Sequence, residues 1–583
     1  MIRILTFGPM PKGAGPDTHI AAGVWCFAGR EELFPGWDGQ GKRAFPLPPD
    51  PFPNAQSMEA TAKAANAEVL RLIDVFGKQM NSLHKKELSS RFWGLALGPV
   101  LLLAVHMLAE RQKRVLDLIE LHGNKDLRVV LLPGDLPFSF ADSREFMLYG
   151  VQNALFNHYV YSRIIEAIAP PTWQLVYQPG AALHQAEPVI YRPRSSIKEA
   201  LHSRLLRLPF PHNKGFRLWQ TLALSLAVLC NSRKNTDNSL DFSLYCDAPL
   251  SWRFPAQQLI FACIPQSISQ AIRQTPLPTK TPSGTGKAGP LRGMAPAYSQ
   301  DDEYRLHLAG LLERGCRLFS IQHEGDFGNL RSVGGLPFAY KQHAFFTWGG
   351  ERHESAPANA HPLPHPLVAS IANAHKERTP SLILAGAEMS VFSCRLESRI
   401  QSKALPAYRD AKLVYLRLAR EALGEQARIC YHPASKASGG LDDKAYILRH
   451  LPHTEICTGD LMARLRGCRL LALDHHGAAL HLALAANVPT IAFWKASDWG
   501  FDAESAWTLG ILREAGILFE TPQEAAARTA AIWPDVQGWW QDNVVQSARK
   551  LWLDRYTRIG DTPERAWNVF TLMRRWWSAL RHC

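Results

Sequence analysis

The chain has 583 residues, a formal net charge of +13 and a pI near 9.3. A hydrophobic content of 46% with 20% charged residues is typical of folded proteins, and the length predicts roughly two to three domains. The positive charge favours anionic partners, such as nucleotide sugars, acidic glycans or an anionic membrane face. No basic run or RNA-binding motif accompanies this charge, so we expect no nucleic-acid partner.

The ten cysteines are scattered, with no C-x-x-C pair and no metal-ligand spacing. This pattern predicts free thiols in a reducing compartment and no metal site. The first residues indicate a strand and a turn, without the charged and apolar regions of a secretion signal. The longest apolar run, residues 92–108, is broken by Gly98-Pro99 and predicts a buried helix rather than a membrane span. We therefore expect a cytoplasmic protein, with association at the inner face of the membrane as a further option.

The first half mixes short apolar strands with long helical stretches. Strands are predicted at 2–8, 128–132, 173–177, 258–264, 317–322 and 343–348, and helices at 58–121, 143–168, 195–234 and 301–314. Residues 275–293, rich in Pro, Gly, Thr and Lys, predict a flexible loop. The Pro- and His-rich residues 356–366 are interpreted as the hinge to the second half.

The second half alternates regularly between strands and amphipathic helices. Strands are predicted at 381–384, 427–431, 455–457, 470–473 and 490–494, with helices at 397–423, 441–450, 460–466, 477–486 and 522–532. This alternation predicts a parallel sheet with helices on both faces. The predicted fold class is α/β, with two Rossmann-like domains facing a cleft, extra N-terminal helices and a helical C-terminal tail. The predicted boundaries are 1–355, 367–560 and 561–583.

Polar residues follow the apolar strand at 317–322 in the first half. His323, Glu324 and Asp326 stand at its carboxyl end, where an open α/β sheet meets its ligand. A histidine beside carboxylates is suited to moving protons near neutral pH. We predict that these three residues are catalytic and lie on the acceptor side, with His323 as the general base.

Two segments of the second half are predicted to contact the donor nucleotide. After the strand ending at Tyr431 come His432, Ser435 and Lys436, which can neutralise a phosphate. After the strand ending at Leu473, the residues His475, His476 and Gly477 open a helix whose N–H groups point towards the cleft. The two histidines beside Asp474 could also bind a metal ion. Because no third ligand has a recognisable spacing, we predict no metal site.

Several short motifs occur in the same order as in a known family. They are Trp25-Cys26, residues 80–84 (M-N-S-L-H), residues 90–93 (S-R-F-W), residues 156–158 (F-N-H), residues 322–328 (Q-H-E-G-D-F-G), residues 347–349 (T-W-G), Phe493-Trp494 and Trp539-Trp540. Through them the chain resembles transferases of bacterial surface-carbohydrate loci that are related to two-domain (GT-B) glycosyltransferases. Related enzymes that use CMP-activated sugar acids have a His-Pro pair at the nucleotide phosphate, which His432-Pro433 resembles.

The resemblance implies a glycosyltransferase that moves a sugar, for example a CMP-activated sugar acid such as Kdo, onto a surface polysaccharide or lipopolysaccharide. Its partners would be a nucleotide-sugar donor, as co-substrate without another cofactor, and a glycan or lipid-linked glycan acceptor. Two alternatives stay open: a sugar-nucleotide epimerase, and a non-catalytic glycan- or partner-binding protein. The second alternative is supported by two departures from the family. Residues 474–479 lack the hydroxyl pair found in related enzymes, and His481 stands where the family places a glutamate.

Overall fold

The chain folds around three parallel β-sheets, in a computed structural model that describes most of the sequence. The described residues are 2–28, 45–179, 183–186, 197–211, 216–230, 248–274, 290–295, 299–322, 325–333, 342–348, 359–377, 379–433, 439–557 and 569–582. Residues 275–289 of the predicted flexible loop lie outside the described residues. Its last residues, 291–293, belong to a β-strand, so the loop prediction is wrong there.

The first sheet has four parallel strands in the order β2-β1-β3-β4. They are β1 (Arg3–Thr6), β2 (His19–Ala21), β3 (Leu127–Leu131) and β4 (Trp173–Tyr177). Leu5 of β1 pairs with Val129 of β3, and both side chains are fully buried. The strands predicted at 2–8, 128–132 and 173–177 are confirmed.

Two long helices, α1 (Ala55–His84) and α2 (Ser90–His122), pack against each other in the same core. Each begins at a capping side chain, because Asn54 accepts a hydrogen bond from the Ser57 N–H and Ser89 accepts one from the Phe92 N–H. Within the described part of the chain, only α2 is long and apolar enough to cross a membrane, and 89% of its apolar window is buried in the fold. The burial agrees with the core helix predicted for residues 92–108.

One predicted strand of the first half is a helix. The further helices of the first half are α3 (Ala154–Ile168), α4 (Ile197–Leu206), α5 (Leu218–Leu229), α6 (Ala256–Ala262), α7 (Gln266–Gln274) and α8 (Asp302–Glu313). Before α3, a single turn at Ser143–Glu145 leads into a π-helix at Phe146–Val151. The prediction of a strand at 258–264 is therefore wrong. Leu259 and Ile260 are buried on one side of α6, and so short an apolar run does not separate a strand from a buried helix.

The first half contains a second sheet, where the sequence indicated one Rossmann-like unit. Its parallel strands, in the order β5-β6-β7-β8, are β5 (Leu291–Met294), β6 (Arg317–Ile321), β7 (Ala344–Thr347) and β8 (Ala360–Pro362). β8 lies inside the segment interpreted as a hinge. Its backbone pairs with β7, so the hinge interpretation is wrong for residues 360–362.

The third sheet has six parallel strands in the order β11-β10-β9-β12-β13-β14. They are β9 (Ser381–Ala385), β10 (Arg428–His432), β11 (Glu455–Ile456), β12 (Leu470–Leu473), β13 (Thr490–Phe493) and β14 (Leu518–Phe519). The chain extends from β9 first to one edge and then to the other, which is the Rossmann order. The α/β fold class and the five strands predicted in this half are confirmed.

Helices separate these strands and continue beyond them. They are α9 (Pro366–Ile371), α10 (Leu405–Leu423), α11 (Asp443–His450), α12 (Leu461–Leu465), α13 (Ala478–Ala485), α14 (Ala503–Glu514), α15 (Pro522–Ile532), α16 (Val536–Trp540), α17 (Asn543–Tyr556) and α18 (Val569–His582). The sequence did not predict α14 or β14. Both lie between the last predicted strand and the helix predicted at 522–532.

The C-terminal helix α18 returns to the first half of the chain. Its buried side chains Leu572, Trp576 and Leu580 share a core with Phe319 of β6 and Phe346 of β7. The Trp576 indole N–H also donates a hydrogen bond of 3.0 Å to the backbone oxygen of Pro364. The tail is therefore part of the second sheet's core.

We expect Trp576→Ala to destabilise the second sheet by about 3–5 kcal/mol, because a fully buried indole leaves a cavity. Amide hydrogen exchange over β5–β8 measures this locally, since a chain with several sheets need not unfold in one step. Trp219→Ala, at a tryptophan on α5 that is 45% exposed, should cost about 1 kcal/mol or less. Equal exchange rates in the two variants would show that α18 does not support the sheet.

Candidate functional site

The carboxyl edge of the six-stranded sheet brings the predicted donor segments together. Ala385, the last residue of β9, pairs with His432 of β10 on one side and with Leu473 of β12 on the other. Strand order reverses between β9 and β12, and in open α/β sheets ligands bind at this switch point. Residues 386–388 and 474–477, which follow the two strands, therefore form its floor.

A buried lysine and a buried aspartate hold this edge together. The Lys412 ammonium, fully buried on α10, lies 3.2 Å from the Asp474 carboxylate and donates a 2.7 Å hydrogen bond to the Ala387 oxygen. It also forms an ion pair with Asp443 at the start of α11. Burial alone would raise the pKa of Asp474, but the Lys412 ammonium, His475 and the Ala387 N–H together outweigh it and hold that pKa below its ordinary value. Asp474 is thus a carboxylate at neutral pH.

His475 and His432 are the predicted donor ligands that lie at the open edge. Nδ1 of His475 donates a 2.7 Å hydrogen bond to Asp474, which fixes the ring and leaves Nε2 on the side away from the carboxylate. The ring lies over Gly477, where an added Cβ would be 3.4 Å from its Cδ2 atom. His432 is partly exposed at the end of β10, with Nε2 3.2 Å from the Gly459 oxygen. Strand spacing puts it roughly 10 Å from the end of β12.

A turn from the first half covers the start of α13. A Cβ added to Gly325 would lie 2.8 Å from the Ala478 nitrogen and 2.5 Å from the His481 ring, so only glycine permits this approach. Nε2 of His481 donates a 2.9 Å hydrogen bond to the Gly325 oxygen, and Nδ1 accepts one of 3.2 Å from the Trp552 indole. Burial lowers the pKa of His481 to about 3, so the ring is neutral and ties the two halves together.

Asp326 and His476, predicted for opposite sides of the cleft, are in direct contact. His476 Nδ1 donates a 3.1 Å hydrogen bond to the Asp326 carboxylate, which also forms an ion pair with Arg399. Burial by itself would raise the pKa of Asp326, but Arg399 and His476 together hold it well below its ordinary value. So weak a base, already occupied by two donors, is suited to positioning rather than to proton transfer.

His476 does not reach the open edge of the sheet. Its ring is buried among aromatic side chains, with ring centroids 5.2 Å from Phe501 and 6.0 Å from Trp552. This placement gives His476 contact with the Asp326 carboxylate instead of the donor contact predicted for it. Adjacent residues point in different directions, which is why His475 and His476 have different surroundings.

Four predicted site residues lie outside the described part of the chain. They are His323, Glu324, Ser435 and Lys436. Their neighbours Gln322 and Gly325 are described. Gln322 is held by Trp348, whose backbone N–H donates to its side chain at 3.0 Å and whose indole donates to its backbone oxygen at 2.8 Å.

Sequence reasoning missed Lys412, Glu388 and Arg399. Lys412 could have been found, because it occupies an inward position of α10 in the series Leu405, Tyr408, Lys412, Tyr415 and Leu416. A lysine on the apolar face of a helix requires a buried partner. Glu388 follows β9 at the switch point, where burial, with Asp443 nearby, raises its pKa. Glu388 stands in no sequence pattern that would have marked it as a site residue.

A cavity of about 260 Å³ lies beside the residues that follow β13 of the six-stranded sheet. Three segments line it: residues 49–58 leading into α1, residues 398–404 before α10, and residues 497–500 after β13. Asp50, Asp498 and Gln401 supply polar groups, and Trp499 contributes an aromatic ring. Burial raises the pKa of both carboxyl groups, although Arg114 opposes the shift at Asp50.

Within the described residues, one group of side chains has metal-ligand proximity. The donor atoms of Cys430, Glu455 and Cys457 lie within 4.8 Å of one another on β10 and at β11. Glu455 is already paired with the Arg428 guanidinium at 2.6 Å, and burial raises the pKa of the Cys430 thiol well above its ordinary value. A protonated thiol and a paired carboxylate are weak ligands. The expectation of no metal site stays a prediction.

Comparison with known proteins places the chain in a family of transferases. A model of the LIC12162 family transferases matches residues 3–570, so the protein belongs to that family and is an enzyme of the transferase class. No curated protein matches it.

Three solved structures show distant similarity to the chain. TarM has a TM-score of 0.27 at 13% identity, over 47% of this chain and 52% of its own. An OtsA apo structure has a TM-score of 0.23 at 11% identity, over 43% and 70%. A mutant O-GlcNAc transferase from Thermobaculum terrenum has a TM-score of 0.21 at 13% identity, over 91% and 81%. The chain thus spans about half the length of TarM.

We expect Asp326→Asn to destabilise the protein by about 1–3 kcal/mol at neutral pH, because Arg399 and His476 lose their anionic partner. The folded-state pKa of Asp326 is depressed, so its contribution is present above the ordinary aspartate pKa of about 3.9 and is lost as the pH falls below it. Urea midpoints of both proteins at a series of pH values should therefore converge in acid. Asp74→Asn, at an exposed site on α1, is the control. A stability difference that persists unchanged in acid would contradict the ion pair.

Proposed function

We propose that the protein transfers a sugar from a nucleotide donor, bound at the carboxyl edge of the six-stranded sheet, to a glycan or lipid-linked glycan acceptor. The observation that carries this proposal is the fixed Asp474–His475 pair at a Rossmann switch point, in a chain that belongs to a transferase family. Switch points of such sheets bind nucleotides, and a histidine whose Nδ1–H is held by a carboxylate presents Nε2 to a phosphate, to which it donates a hydrogen bond in its imidazolium form.

The donor phosphate would be bound without a free lysine from α10. Lys412 is taken up by Asp443 and Asp474, so it only supports the edge from below. His432 and His475 remain to meet the phosphate, together with Ser435 and Lys436 from the sequence prediction. Because His432-Pro433 resembles the His-Pro pair of enzymes using CMP-activated sugar acids, a donor such as CMP-Kdo is the first to test.

The acceptor sugar would occupy the cavity beside this edge. Asp50, Asp498 and Gln401 can bind sugar hydroxyls. The cavity volume of about 260 Å³ admits a sugar unit but not a long glycan. A longer acceptor would therefore present one terminal residue to the donor.

The general base proposed from the sequence is His323. Asp326 is occupied by Arg399 and His476, so we assign it a positioning role in the turn that carries Gly325. Glu324 is proposed to orient His323. This assignment leaves a single imidazole, next to the end of β6, to take the proton of the acceptor hydroxyl.

A thermal-shift panel of CMP-, UDP-, GDP- and CDP-sugars tests the donor site. One nucleotide sugar at about 100 times its Kd should stabilise the protein by about 2.7 kcal/mol. His475→Ala should abolish that shift, whereas His453→Ala, at an exposed histidine before β11, should preserve it. No shift with any nucleotide would favour the non-catalytic alternative, and a normal shift in His475→Ala would remove His475 from the donor site.

Replacement of His323 tests the base. With the identified donor and a lipopolysaccharide core extract, His323→Ala should release nucleotide about 10²–10⁴ times more slowly while its donor-induced thermal shift is unchanged. His202→Ala, at an exposed histidine on α4, is the matched control. Full turnover in His323→Ala would exclude this residue, and conversion of the donor without acceptor would indicate an epimerase.

A further inference from the structure

Helix α5 presents a row of large apolar side chains to solvent. Leu218, Trp219, Leu222, Leu226 and Leu229 are each between 45% and 58% exposed. At 100° per residue these positions fall on one face of the helix. The opposite face is also apolar, because Leu224, Ala227 and Val228 are buried in the core beneath. A row of five large, exposed apolar side chains on one helix face marks an interaction surface.

The neighbouring helix α18 adds positive charge to the same surface. It packs beside α5 in a shared core, through Leu572, Trp576 and Leu580. Its outward face carries Arg574, Arg575 and Arg581, all exposed, and Arg217 is exposed where α5 begins. Neither helix contains an aspartate or a glutamate. The two helices therefore combine an apolar row with a basic row.

We propose that α5 and α18 form a docking surface for a membrane that contains anionic lipids. Leucine and tryptophan side chains of α5 would enter the boundary between headgroups and acyl chains, while the arginines of α18 contact lipid phosphates. At 12 residues α5 is about 18 Å long, too short to cross a bilayer, so it lies on the surface. The net charge of +13 also attracts the protein to an anionic membrane.

Charge favours this occupant over a second copy of the chain. A symmetric dimer through α5 and α18 would place the same patch of each copy against the other, so that their arginines approach one another. An anionic bilayer instead neutralises them. The inference is independent of the proposed chemistry, and it would bring a lipid-linked acceptor close to the enzyme.

Vesicle co-sedimentation of the full chain tests the proposal. The protein should sediment with phosphatidylcholine–phosphatidylglycerol vesicles, bind much less to phosphatidylcholine alone, and be released as salt rises. Leu222→Glu/Leu226→Glu should weaken partitioning at least tenfold, and Arg574→Gln by about fivefold. The control Leu83→Glu/Leu121→Glu makes the same change of charge at exposed leucines on α1 and α2 and should bind normally.

Three results would overturn the proposal. The first is a folded wild-type protein that does not sediment with anionic vesicles. The second is equal binding by the α5 variant and its control. The third is a concentration-dependent dimer, measured by light scattering, that Leu222→Glu/Leu226→Glu abolishes in a protein without vesicle binding. If the glutamates lower the melting temperature, Leu222→Gln/Leu226→Gln keeps the comparison valid, because these side chains remain uncharged.

Discussion

The close approach of Gly325 to the first turn of α13 connects the two halves of this enzyme. No side chain larger than hydrogen fits there, since an added Cβ would be 2.8 Å from a backbone nitrogen. His481 holds the Gly325 oxygen, and Asp326 binds His476 and Arg399 on the adjacent side. This contact places the end of β6 against the carboxyl edge of the third sheet. The proposed reaction depends on it, because the proposed base His323 follows β6 whereas the proposed donor groups follow β10 and β12 of the third sheet.

Buried charges hold the carboxyl edge of the third sheet in place at a cost in desolvation. Lys412 and Asp474 are both inaccessible to solvent, and removal of Lys412 would leave the buried Asp443 and Asp474 carboxylates without their shared ammonium partner. The cost is offset because Lys412 has three partners, Ala387, Asp443 and Asp474. Asp474 in turn fixes His475. A rigid set of charges beneath the edge can thus orient a histidine at its surface.

The predictions succeeded best where a strand is buried on both faces. Such strands form continuous apolar runs, which made β9, β10, β12 and β13 recognisable. They failed where pairing is decided by distant parts of the chain. β8 is a three-residue strand in a Pro- and His-rich segment, and only its contact with β7 makes it one. The apolar run at α6 became a helix because short apolar runs fit either structure.

The sequence by itself determined the α/β class, the alternation of the second half and the positions of polar groups after β6, β10 and β12. Those features follow from local hydrophobic patterns and from the chain order. Only the tertiary structure decided that His475 faces the open edge, whereas His476 is buried against Asp326 and His481 binds Gly325. Neighbouring side chains point in different directions, and the partners of His476 and His481 lie about 150 residues away in the sequence. Folding alone brings them together, because no local pattern records which distant group will be adjacent.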